Sequence, residues 1–69
     1  MTISELFEMF DDISDYTKIN VYAAVPNDHF MANQLFFSGR FSDMSIELTQ
    51  AHVVRFSHDY SQDTLFVII

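Results

Sequence analysis

Sixty-nine residues make one domain, and at this size only about 60% of the surface of the unfolded chain can be buried on folding. The absence of cysteine excludes a disulfide staple and a thiolate metal site. Ten acidic residues against three basic ones give a net charge of -7, which argues against direct nucleic-acid binding, since that needs Lys and Arg to displace counterions from phosphates.

The first segment reads as one helix. Thr2 followed by Glu5 fits a capping box, and Ile3, Leu6, Phe7, Phe10 and Ile13 recur at the spacing of one helical face. Acids crowd the other side: Glu5, Glu8 and Asp12 fall at i, i+3 and i+7, and Asp11 and Asp15 widen the stripe. No Lys or Arg precedes Lys18. Either the stripe is a solvated face that keeps a small protein soluble, or it meets a basic partner. The opening MTISELFEMF lacks the basic start of a signal peptide, and no apolar run reaches the roughly 18 residues of a membrane span. The expected compartment is therefore a reducing cytoplasm.

Lys18 to Ala24 alternates, with Ile19, Val21 and Ala23 on one side, and predicts a half-buried strand. Pro26, Asn27 and Asp28 mark the following stretch, Val25 to Asn33, as a loop. Gln34 to Phe41 predicts a second strand, in which Gly39 suggests a bulge or a close backbone approach. Ser42 to Gln50 is a polar connector with room for a short helical turn around Met44, Ile46 and Leu48. Ala51 to Ser57 and Thr64 to Ile69 predict two further strands joined by a hairpin loop over residues 58–63.

This order predicts a single α+β domain, one N-terminal helix packed on a four-stranded antiparallel sheet. One helix covers one face, yet both faces of the predicted strands hold large apolar groups, with Phe36 opposing Leu35 and Phe37, and the last strand apolar throughout. The second face is covered either by the connector or by a partner, a homodimer included.

Catalytic signatures are missing. With one glycine there is no phosphate-cradling or oxyanion loop, and no hydroxyl sits in a strand-to-helix elbow, so an enzyme is not expected. The histidines offer the only route to a metal. His52 and His58 stand at opposite ends of the predicted third strand, about 20 Å apart at about 3.3 Å per residue, too far to share an ion. In an antiparallel order, the loops after the first and third strands share one end of the sheet, bringing Asp28 and His29 towards His58 and Asp59. These ligand types suit zinc, but they are also ordinary turn formers. No other cofactor is expected.

The stretch ISELFEMFDDISDYTKINVY, followed by further strands and a terminal LFVII, resembles small proteins encoded by bacteriophages and prophages, among them anti-CRISPR inhibitors of Cas nucleases. The resemblance implies a basic host protein as partner, with a Cas nuclease the leading candidate, Glu5, Glu8, Asp11, Asp12 and Asp15 set against its Arg and Lys groups, and Phe36 as an apolar contact. The expected function is inhibition by blocking nucleic-acid loading or activation. The alternative is an assembly protein that oligomerises through an apolar sheet face.

Overall fold

Thr2 opens the chain as a helix cap. Its hydroxyl accepts from the Glu5 N–H at 3.2 Å, and its own N–H donates to Glu5 Oε1 at 3.0 Å, so two otherwise orphaned donors are satisfied at once. The computed structural model describes residues 1–10, 13–27 and 30–69, and in it this helix, α1, runs only from Ile3–Met9. Phe10 turns extended at its C-cap, and the aspartates next in sequence suit the negative end of a helix poorly. Ile13 is buried, but beyond the helix, and Asp15 lies in a turn closed by Thr17 N–H to Ser14 C=O at 3.1 Å.

The strands are β1 (Lys18–Asn27), β2 (Phe30–Gly39), β3 (Arg55–Asp59) and β4 (Thr64–Ile68). Between β2 and β3 lie a short 3-10 turn, Phe41–Asp43, and a one-turn helix, α2 (Ile46–Thr49). The four strands form one sheet in the order β2-β1-β4-β3. β1 pairs antiparallel with β2 and β3 antiparallel with β4, but β1 and β4 run parallel. The expected antiparallel sheet with one helix is thus corrected to a mixed sheet with two short helices. The physical reason lies in β4: this largely apolar strand has both of its edges paired, between β3 and β1, and running parallel to β1 it needs a crossover connection. Residues 40–54 supply it.

Parity sorts the side chains. Ile19, Val21, Leu65 and Val67 share one face and are buried with Ile3, Leu6, Ile13 and Met44 in one core. Phe7 stacks on Phe41 with ring centroids 4.3 Å apart, and α1 is pinned to the crossover by Ile3 N–H to Ala51 C=O and Val53 N–H to Met1 C=O. Because Met44 enters this core, the connector lies on the same face as α1 and does not cover the other. That other face carries Lys18, Asn20, Tyr22, Leu35, Ser57, Phe66, Ile68 and Arg55 by register, all of them half-buried or exposed.

Both hairpin arms run longer than their composition suggested. Pro26 pairs with Met31 inside the β1–β2 ladder, beyond the last β1–β4 pair, Tyr22 with Ile68. One side of β1 has no neighbouring strand there, and a proline is tolerated on such an edge. The irregularity in this ladder falls between Val21 and Tyr22, opposite Phe36, and not at Gly39.

Candidate functional site

Among the described residues, no Lys or Arg lies within ion-pair distance of a carboxylate, and the one ion pair joins His58 Nε2 to Asp63 Oδ1 at 3.4 Å. Glu5, Glu8, Asp43 and Glu47 are exposed on α1, the 3-10 turn and α2, elements that pack on one face of the sheet. Lys18 and Arg55 project from the opposite face, and Arg40 sits 5.5 Å from the centroid of the Tyr16 ring. The surface is therefore unevenly divided, with Glu5, Glu8, Asp43 and Glu47 over the helical layer and two of the three cations across the sheet, where Asp59 is the carboxylate that shares their face.

Of the expected acidic stripe, the structure keeps Glu5 and Glu8 on α1. Glu5 is engaged in the cap, where the Thr2 backbone N–H, with its hydroxyl, holds the carboxyl below the ordinary carboxylate range. Asp15 is exposed in the 14–17 turn, off the helix. Asp11 and Asp12 lie outside the described residues. Phe36 is 66% exposed at the bulge of edge strand β2, as a contact residue would have to be.

The expected metal ligands divide differently. His58 and Asp59 belong to β3, not to a loop, and as neighbours on a strand they face opposite sides of the sheet: His58 pairs with Leu65 and Asp59 with Thr64. Asp59 accepts instead from Ser61, whose hydroxyl at 2.7 Å is the main cause of its lowered pKa. Asp28 and His29 lie outside the described residues. Their neighbours Asn27 and Phe30 pair at the far end of the β1–β2 ladder, about 30 Å of strand from Lys18, whereas Asp59 and Thr64 sit at the Lys18 end. Because β4 runs parallel to β1 and antiparallel to β3, the β3–β4 turn lies at the Lys18 end of the sheet. Among the described residues no three His, Cys, Asp or Glu side chains converge to hold a metal ion.

The partner His58 does have is Asp63. This residue adopts φ +48°, a left-handed conformation that Asp tolerates better than most. Its Oδ1 also accepts from the hydroxyl of Thr17 at 2.9 Å, and Thr17, fully buried, accepts in turn from the Ser14 N–H at 3.0 Å. The cluster locks the 14–17 turn onto the β3–β4 turn. Sequence reasoning passed over Asp63, although an Asp directly before an apolar strand is a usual turn residue.

Beside this cluster lies a groove of about 130 Å³, lined by Phe10, Ile13, Phe56, His58, Tyr60 and Leu65. Ile13 and Leu65 are its buried floor, and Phe10, Phe56 and Tyr60 its exposed rim. The Phe10 and Phe56 rings meet at 5.4 Å and 59°, those of His58 and Tyr60 at 4.3 Å and 46°. Phe56 and His58 alternate on β3 and so share a face, a signal available in the sequence. Phe10 reaches the groove only because α1 stops at Met9. No family model, curated protein or solved structure matches this chain.

Proposed function

We propose that the chain acts by binding, as a small acidic inhibitor-type protein that docks its helical layer on a basic surface of a nucleic-acid-processing protein. A Cas nuclease is the first target to test. The observation that carries this reading is the want of any Lys or Arg partner for the described carboxylates, combined with the separation of Glu5, Glu8, Asp43 and Glu47 from Lys18 and Arg55. A surface so divided steers a basic partner to one side and repels acidic ones.

The test is charge reversal. Glu8→Lys with Asp15→Lys changes two exposed positions that make no side-chain hydrogen bond in the fold, so folding survives within about 0.5 kcal/mol per site. Affinity for a purified Cas nuclease, or for another basic protein recovered by pull-down, falls about a hundredfold, since a carboxylate lost from a desolvated Arg contact costs about 2 to 5 kcal/mol. Unchanged affinity in the folded variant would remove the acidic layer from the interface.

A second reading rests on a separate observation. Leu35, Tyr22 and Ile68 form one row across β2, β1 and β4 on the open face, with Phe66 beside it, and Leu35 is 52% exposed. A sheet-to-sheet homodimer would cover this row, and the chain would then serve in assembly.

A further inference from the structure

The groove at the β3 edge is too small for a cofactor or drug-sized ligand, which need about 300 to 1,000 Å³, and its volume of about 130 Å³ suits a single side chain. Four of its six lining residues carry rings, Phe10, Phe56, Tyr60 and the imidazole of His58. Aromatic faces carry negative quadrupoles and attract a cation laid against them. One hydrogen bond behind the His58 wall stands the Asp63 carboxylate, its side chain half exposed. It receives Thr17 and His58 on Oδ1, and a carboxylate offers about four acceptor sites. The chain as a whole carries a net charge of -7.

We propose that this groove receives an arginine side chain presented by the partner protein. The guanidinium is planar, weakly hydrated and able to lie flat on a ring while still donating to a carboxylate. Its aliphatic stem covers the Ile13 and Leu65 floor, and its charge is met by the rings, within the field of the Asp63 carboxylate beyond His58. A neutral apolar side chain would fill the space equally but would gain nothing from the surrounding charge. This inference rests on the reading that the partner surface is basic, and it names the group that this surface inserts.

The test needs no partner. The full chain, labelled with 15N, is titrated with N-acetyl-arginine amide, with the neutral isostere N-acetyl-citrulline amide and with N-acetyl-leucine amide, while backbone amide shifts are followed. Saturable shifts at Ile13, Phe56, His58, Tyr60 and Leu65 are expected with the arginine amide, with a Kd at least fivefold lower than for either neutral probe. Tyr60 is 70% exposed in a turn, and Tyr60→Leu, its fold checked by unchanged shifts away from the groove, is expected to raise the arginine Kd to that of citrulline. Equal binding of citrulline or leucine amide would overturn the cation, and the absence of saturable shifts at these residues would overturn the site. If arginine amide binds here while Glu8→Lys with Asp15→Lys leaves partner affinity unchanged, the groove stands and the acidic-layer reading falls. The converse pair of results sinks the groove alone.

Discussion

Gly39 shows how one residue fixes a boundary. Its φ of +158° is rarely open to a side chain, and a Cβ there would stand 3.2 Å from the Phe37 ring and 3.6 Å from Asp43 Oδ2. Gly39→Ala is therefore expected to cost about 1 to 3 kcal/mol, read as a lowered midpoint of urea unfolding with an unchanged slope. An unchanged midpoint would mean that β2 ends differently. The Thr2–Glu5 cap gives a second prediction, with a definite sign. The carboxyl of Glu5 is lowered in the fold from its ordinary 4.5, so its contribution is complete above that value and is lost as pH falls through the depressed one. Stability should therefore drop on acidification below about pH 4.5, and Glu5→Gln should flatten that part of the profile. A profile identical in the variant would place the acid sensitivity elsewhere, Asp59 with its Ser61 hydrogen bonds being the next candidate.

At the scale of elements, the sequence spoke clearly where periodicity and caps agreed. The Thr2 cap, the alternation of Ile19 and Val21, and the apolar run of β4 all stand in the structure as strand and helix signals. Three features were hidden. The apolar stripe from Ile3 to Ile13 has helical spacing, yet α1 stops at Met9, and Ile13 reaches the core from a non-helical segment; spacing reports burial, not backbone state. Pro26 reads as a loop residue but is paired in β1, because an edge position imposes no donor requirement. Strand order was beyond local pattern altogether, since an antiparallel neighbour and a crossover leave the same alternation behind. The crossover offers a direct check: Met44 is buried and Ile46 is 79% exposed. Met44→Ala should cost about 2 to 5 kcal/mol, and Ile46→Ala about 0.5 kcal/mol or less. Equal effects would show that the connector does not seat on the core face.

At the scale of the molecule, the two readings of function use opposite sides of one sheet, and ionic strength separates them. The open face is not uniformly apolar: Asn20 and Ser57 flank Phe66, Ser38 lies beyond Asn20, and the Ser38 hydroxyl donates to Asn20 Oδ1 at 2.6 Å. A half-polar face can stand in water unaided, and a second copy would bring another net charge of -7 towards the first. The chain is thus expected to run as a monomer by light scattering at tens of micromolar and low salt. Added salt screens that repulsion and strengthens apolar contact, so an assembly held by Leu35, Tyr22 and Ile68 would grow with ionic strength. Binding through Glu8 and Asp15 runs the other way, because salt weakens attraction between a carboxylate layer and a basic surface. The decisive measurement is one salt series read twice, for self-association and for affinity towards the basic partner. Falling affinity with a constant monomer mass supports the acidic layer. A dimer that persists at low salt and dissociates in a Tyr22→Lys variant would move the working surface to the open sheet face, with the acids of the helical layer left to keep that assembly in solution.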